Sequence, residues 1–331
     1  MTSRDVARLA EVSQATVSRV LNGDKRMSSA TTDRVIEAAR QLGYIPSELG
    51  RSLSTRTTRQ VAIVADLDNE LYPRLVGPIH DELEVHGFRT LLLAERGDDS
   101  RKYQRLLDGS IDGAILTTTH LHGSLPRDLS LRRLPFVLLN RVSEVIEADS
   151  VTASNSEGAA SVGELFLELG HRHVGAILGP EETSTSRDRE RGLLGVLNER
   201  HVALPPRWVR RGPFSYESGR QSFVSIMSER DRPTVVFCAN DMLAVGALSG
   251  AADLGMAVPE TVSVVGFDDL EFASWPPIQL TTVHTQFSLM AKTAATMLVE
   301  LLQGDPASVT PRRTVFQTTL VKRRTHAPPG S

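Results

Sequence analysis

The sequence has a single cysteine in 331 residues, Cys238, so no internal disulfide can form, and this suits a reducing compartment. No apolar run approaches the ~18 residues that would span a bilayer. The opening residues, MTSRDVARLAEVS, interrupt each apolar cluster with charge, which argues against a secretory signal. There is no GxxxxGK(S/T), no GxSxG and no GxGxxG following a strand, so an enzyme reading has no motif behind it. His171-x-His173 and His120-x-His122 have no third ligand at a useful spacing, and neither a metal nor a cofactor is expected. Low-complexity segments and fixed-period repeats are also missing. What remains is ordinary globular composition, 40% hydrophobic and 23% charged, at a length that suggests two or three folding units in the cytoplasm.

Charge is unevenly spread. Residues 1–59 hold ten Lys/Arg against six Asp/Glu, a balance of +4, whereas the rest of the chain carries −7. A basic head on an acidic body is the asymmetry of a nucleic-acid reader joined to a second module. The head reads as three short helices. Thr2 caps a first helix, about Ser3–Ala10, with Asp5 completing a capping box and Val6, Leu9 and Ala10 on one face. Ser13 caps a second, Gln14–Leu21, with Val17, Val20 and Leu21 inward. Ser28 caps a third, about Ser29–Leu42, with Val35, Ile36, Ala39 and Leu42 at the 3–4 spacing of an apolar face; Gly43 and Pro46 end it.

Two short helices joined by Glu11-Val12-Ser13 are the parts of a helix-turn-helix. Packing of the second helix leaves Gln14, Ala15, Ser18, Arg19 and Asn22 outward. In the major groove Gln14 can pair with adenine and Arg19 with guanine, while small Ala15 permits close approach. Ser13, Thr16 and the free amides of the helix start suit phosphate oxygens. On pattern alone, a solvated three-helix unit with no DNA role stays open as the alternative.

Residues 47–59, SELGRSLSTRTTR, form a polar, basic linker in which Leu49 and Leu53 share a helix face with no core to enter. From Gln60 onward short β-prone runs (Val61–Ala65, Thr90–Leu93, Ala114–Thr117, Phe136–Leu139, Val174–Leu178, Val235–Cys238, Val262–Gly266, Arg313–Thr319) alternate with amphipathic helical stretches. That alternation predicts parallel sheets covered by helices on both faces, in two doubly wound lobes. The final THAPPGS reads as a short frayed tail.

The segments DVARLAEVSQATVSRVLNG and MSSATTDRVIEAARQLGYIPSELGRSL resemble the head of the lactose/galactose-repressor family of bacterial regulators. The resemblance continues through GHRHVGAILGP, CANDMLAVGAL, VPETVSVVGFDD and LTTVHTQF. It implies a small all-α head and a periplasmic-binding-protein-like α/β body. The expected domains are residues 1–46 (DNA-binding head), 47–59 (hinge) and 60–331 (effector-binding and dimerisation body). Within the body, lobe one would comprise about 60–154 plus 285–313, and lobe two about 155–284 plus 314–326, with crossovers near Asn155, Thr285 and Thr314.

By position in that family, Gln14, Ala15 and Arg19 would read bases, and Ser13, Thr16, Asn22, Ser28, Thr31 and Tyr44 would hold the DNA backbone. Leu53 would enter the minor groove from a hinge helix that folds on DNA, and Gly50, standing where alanine is common, would make that folding more DNA-dependent. Glu11 stands where glycine is usual, in a left-handed turn. In the body, Arg189, Asp268 and Asn240 would grip effector hydroxyls, Phe214 would stack on a sugar face, and Leu71 and Tyr72 would close from the other lobe. Asn155 and Thr285 would contribute from the crossovers. The resemblance therefore implies a homodimeric, cytoplasmic, nucleoid-associated repressor. Its partners would be double-stranded operator DNA and a small effector, a sugar or polyol, with no membrane partner. A soluble sugar-binding module without operator binding, a corepressor or activator mode, and a nucleoside-type effector remain alternatives.

Overall fold

Helix formation in the head begins at Thr2, whose backbone N–H donates to the Asp5 carboxylate at 2.9 Å. That bond, followed by the Thr2 hydroxyl, holds the Asp5 carboxyl below its ordinary range. The structure, a computed structural model, describes residues 1–21, 24, 26–44, 57–94, 106–304 and 310–330. Asn22, Gly50 and Leu53 lie outside the described residues. The chain divides into two compact units, Met1–Arg59 and Gln60–Ser331.

In the first unit helix α1 spans Ser3–Leu9, α2 Gln14–Leu21 and α3 Ser29–Gln41. Between α1 and α2 the chain reverses at Glu11, whose φ of 54° lies in the left-handed region. The Ser13 hydroxyl then caps α2 by accepting from Thr16 N–H at 3.1 Å. Ser28 caps α3 in the same way through Thr31 N–H. The core is built from Val6, Ala7, Ala10, Val17, Val20, Val35, Ala38 and Ala39. Two residues of the expected apolar faces stay largely outside the core: Leu9 is 47% and Ile36 53% exposed. Each sits at the edge of its helix's apolar arc. Ala7 and Ala38 take the inner places because a small side chain lets three short helices approach one another closely.

The second unit holds two parallel sheets. Strands β1 (Gln60–Ala65), β2 (Arg89–Ala94), β3 (Gly113–Leu116), β4 (Phe136–Leu139) and β5 (Ser150–Ala153) belong to the first. The second comprises β6 (Val174–Leu178), β7 (Val209–Arg211), β8 (Val235–Cys238) and β9 (Ser263–Val265), in the order β7-β6-β8-β9. Strand β10 (Thr282–His284) precedes β11 (Arg313–Phe316), which completes the first sheet in the order β11-β5-β4-β3-β1-β2. Both sheets are nearly all apolar in their central strands, as expected where helices cover both faces.

Helices α4 (Tyr72–Val85) and α5 (Leu125–Leu131) cover the first sheet from opposite faces. The second sheet packs under α6 (Asn155–Glu168), α7 (Ser184–Glu199), α8 (Tyr216–Met227) and α9 (Asp241–Asp253). Helix α10 (Phe287–Gln303) returns to the first sheet beside α4. Gly192 sets the α6–α7 spacing: a Cβ there would lie 2.0 Å from the Ser156 carbonyl oxygen. Among the described residues no helix is long and apolar enough to cross a membrane.

The chain leaves the first sheet after β5, re-enters lobe one after β10, and crosses a third time before β12 (Thr319–Val321), which pairs antiparallel with β10. That third crossing falls at Gln317 and Thr318, beyond Thr314, because β11 stays paired with β5 as far as Phe316. Nothing in RTVFQTTLV breaks the strand pattern, so the sequence does not mark the boundary.

The end of the chain is docked, where fraying was expected. Thr325 donates its hydroxyl to the Val264 carbonyl at 2.6 Å, and Ala327 N–H donates to Ser263 Oγ at 3.0 Å. The Ala327 carbonyl meets His171 Nε2 at 2.9 Å, while Nδ1 of the same ring meets Thr234 Oγ1 at 2.8 Å. Burial holds the His171 imidazole below its ordinary value of 6.5, with the Ala327 carbonyl opposing that shift.

Two outcomes follow from this packing. Glu11→Gly removes a side chain from a left-handed position and should stabilise the head by about 1 kcal/mol, read as slower amide exchange in α1 and α2 of the full chain. Truncation after Arg324 should lower the melting temperature of the body. The intact body should also lose stability as pH falls below 6.5, because the unfolded chain then takes up a proton that buried His171 resists. Replacing His171 by Gln should flatten that slope.

Candidate functional site

The second helix of the head divides its residues as a groove reader must. Val17 and Val20 are buried, whereas Gln14, Ala15, Ser18 and Arg19 are exposed on the opposite side. Thr16 is half-buried, its hydroxyl 2.9 Å from Ser13 Oγ. The Gln14 side-chain amide donates to Ser3 Oγ at 2.9 Å, so α1 holds the side chain that is expected to read a base. Ser28 Oγ and Thr31 Oγ1 pair at 2.8 Å at the start of α3, and Tyr44 packs half-buried against the head core. The α2 N-terminus adds unpaired backbone N–H groups, which favour anionic oxygens.

In the body the C-terminal ends of both sheets face a cleft. Its organising group is Arg189 on α7, which is 3% exposed. Its Nε donates to Asn155 Oδ1 at 2.8 Å, Nη1 to the Ala239 carbonyl at 2.6 Å, and Nη2 to Asp268 Oδ1 at 2.7 Å. The guanidinium also stacks over Phe267, 3.9 Å from the ring centroid. Burial pushes the Asp268 carboxyl up, and Arg189 and Arg141 pull it back. Next to it, Asp241 is pushed well up by burial and by Asp268, although Thr282 donates to its Oδ1 at 2.5 Å and Leu270 N–H to its Oδ2 at 2.7 Å.

Asp268 and Asp269 both have positive φ, 113° and 57°. The side chains hold this turn from two sides: Asp268 through Arg189, and Asp269 through Arg323 Nη2 at 2.7 Å and His284 Nδ1 at 3.0 Å. Asn240 caps α9, its Oδ1 accepting from Leu243 N–H at 2.9 Å, and so turns only its remaining amide hydrogens toward the cleft. Phe214 packs against Gly179, where a Cβ would come within 2.1 Å of the ring's Cζ.

The cleft has two parts. An inner pocket lined by Leu71, Tyr72, Phe214, Asn240, Arg189 and Asp268 encloses only about 10 Å³. An outer chamber of about 650 Å³ opens beside it, and Asn69, Arg141 and Phe214 belong to both walls. The structure thus brings six of the eight expected effector residues together. Asn155 stands behind Arg189 and orients it, while Thr285 lines neither space. The lobes are tied across the cleft: Leu121 N–H donates to the Glu182 carbonyl at 2.8 Å and Val142 N–H to Ser184 Oγ at 3.0 Å. Arg187 adds an ion pair to Glu144.

Beyond Leu71 and Tyr72, the sequence reading missed the lobe-one wall. Thr118, Thr119 and His120 follow β3, and Asn140 and Arg141 follow β4. The available signal was position: open α/β sheets bind ligands beyond the carboxyl ends of their strands, and Asn-Arg directly follows Phe136–Leu139.

Residues 2–47 match the model of bacterial regulatory proteins of the lacI family, and residues 164–326 match the periplasmic binding protein-like domain. The HTH-type transcriptional repressor CytR of Escherichia coli is 32% identical over 92% of this chain and 90% of its own length. The HTH-type transcriptional repressor PurR of Aliivibrio salmonicida is 30% identical over 91% and 92%. Among solved structures, the lac repressor dimer bound to operator and an anti-inducer superposes with a TM-score of 0.86 at 26% identity, covering 99% of both chains. A CelR–cellobiose complex gives 0.74 at 29% identity, covering 98% of this chain and 99% of its own. With a helix in one unit that exposes a polar face, a two-lobed cleft in the other unit, and repressors among the relatives that match over about nine-tenths of the chain, the chain belongs to the lacI family of DNA-binding bacterial transcription regulators.

Proposed function

We propose that two copies of the chain grip a pseudo-palindromic operator and that a small hydroxylated effector in the cleft lowers operator affinity. Gln14, Ala15 and Arg19 read base edges in the major groove, and Ser13, Thr16, Asn22, Ser28, Thr31 and Tyr44 hold the backbone. Leu53, in the linker with Gly50, enters the minor groove as a wedge. The observation that carries the DNA side is the clean division of α2, with Val17 and Val20 buried and Gln14, Ala15 and Arg19 exposed.

The effector side rests on Arg189, Asp268 and Asn240 converging beneath Phe214 between two lobes. An acceptor, donors and an aromatic platform suit a sugar or polyol. The relatives include a ribose operon repressor from Haemophilus influenzae and the cellobiose complex of CelR, which favours a saccharide over other polyols. The two lobes and the paired heads are the elements that such a ligand would bias, with a coupling of about 1–3 kcal/mol.

Fluorescence anisotropy with genomic fragments should find a palindromic site at physiological salt; uniform binding to all fragments rejects the operator reading. Gln14→Ala should weaken specific binding by about 1–3 kcal/mol. Leu53→Ala should cost specific binding far more than nonspecific binding, and equal losses reject the wedge. A saccharide that stabilises the body in thermal unfolding should lower operator affinity. Phe214→Ala should shrink both effects, and an unchanged response removes Phe214 from the site.

A further inference from the structure

We propose that the ligand carries an oxyanion, a phosphate or a carboxylate, seated on the Arg141 guanidinium and the Thr119 hydroxyl at the lobe-one wall of the cleft. This rests on the reading of the cleft as the effector site and names the chemistry of its ligand.

The two arginines of the cleft differ in one respect. Arg189 is met on all three nitrogens by Asn155, Ala239 and Asp268, so its charge is already compensated inside the protein. Arg141 is nearly as buried, at 9% exposure, yet among the described residues no carboxylate forms an ion pair with it. Its Nη1 donates to the Thr118 carbonyl at 3.3 Å, and its Nε is buried with no hydrogen-bond partner. Thr119 Oγ1, 7% exposed at the residue level and on the same chamber wall, is likewise buried without a partner. Phe214 offers the guanidinium only a distant ring, 5.8 Å from its centroid. Asp268 attracts it through space, but that carboxylate pairs directly with Arg189. A buried cation without an ion pair of its own is unfavourable, and the planar guanidinium fork matches phosphate and carboxylate oxygens.

The chamber beside it, about 650 Å³, is the size of a small-molecule site. Its acidic residues stand at the solvent side: Asp68 and Glu182 are exposed and Asp66 is half-buried. Solvent screens those carboxylates, which suit the hydroxyl end of a ligand, whereas Arg141 holds the buried end. The arrangement fits a phosphosugar or a sugar acid with its anionic group inward. Asn140, at φ 70°, places Arg141 there from the end of β4, in a conformation that asparagine tolerates better than most residues.

The test uses the full chain at constant ionic strength, with inorganic phosphate, acetate, glucose, glucose 6-phosphate and gluconate as probes in thermal unfolding and calorimetric titration. At least one of the two simple oxyanions should bind saturably, and the matching anionic sugar should bind at least about tenfold tighter than glucose, the scale of a charge-assisted hydrogen bond. Which arm responds separates phosphate from carboxylate. Arg141→Gln should abolish that preference, and Thr119→Val should reduce it. Without ligand, Arg141→Gln should melt at the same temperature or higher, because a buried charge without an ion pair of its own has gone. A clear drop would make Arg141 a structural residue and overturn the proposal. Lack of saturable binding by both simple oxyanions overturns it too. If glucose binds as tightly as its anionic forms and Arg141→Gln changes nothing, the oxyanion falls while the effector cleft stands. If a neutral saccharide fails as well, both fall.

Discussion

The body of this protein is organised around one buried charge. Taking a guanidinium out of water costs several kcal/mol, so Arg189 can sit at 3% exposure only where each of its nitrogens is met. The groups that meet it come from three separate places: Asn155 at the first crossover, the Ala239 carbonyl after β8, and Asp268 after the second sheet's last strand. Removing either partner of the Arg189–Asp268 pair would leave an uncompensated charge, at a cost of about 3–5 kcal/mol. The pair therefore fixes the positions of a crossover, a strand end and a turn relative to α7. Gly192, three residues along the same helix, lets α7 approach α6 closely enough for the Asn155 bond to form.

That constraint has consequences for the turn that follows. Asp268 and Asp269 both adopt positive φ, a conformation that persists only where the surroundings impose it. Here they are imposed by Arg189 on one side and by Arg323 and His284 on the other. Arg323 lies just after β12, so the third crossing and the docked tail reinforce the same corner of the cleft. The wall from lobe two is thus rigid and electrically compensated. The wall from lobe one, where Arg141 and Thr119 retain unpaired polar atoms, is the unfinished side.

Much of this was legible in the residues. Strand runs and amphipathic stretches alternated clearly from Gln60, and the caps at Thr2, Ser13 and Ser28 marked the head helices. Burial within those helices was less legible. Leu9 and Ile36 look like core on spacing, but three short helices pack closest through alanines, and the larger side chains are displaced to the rim. The third crossing was blurred because Arg313–Phe316 and Thr319–Val321 read as one run, although they join different sheets. The tail, with two prolines and a glycine, has the composition of a frayed end. It is held by hydrogen bonds to Val264, Ser263 and His171, which no periodicity announces.

For the site, the sequence by itself, through the family resemblance that GFDD, CAND and TSRDRERG carry, singled out the lobe-two residues Asp268, Asn240 and Arg189 that the fold brings together. It also determined the two-faced α2, since a period of about 3.6 residues separates Val17 and Val20 from Gln14, Ala15 and Arg19 without further information. Only the tertiary structure decided which of those groups are already spent on one another. Hydrogen-bond partners across the fold are set by how sheets and crossovers pack, and that assigns Asn155 to Arg189 and the Asn240 oxygen to a helix cap, and leaves buried Arg141 with an unpaired Nε and, among the described residues, no ion pair of its own.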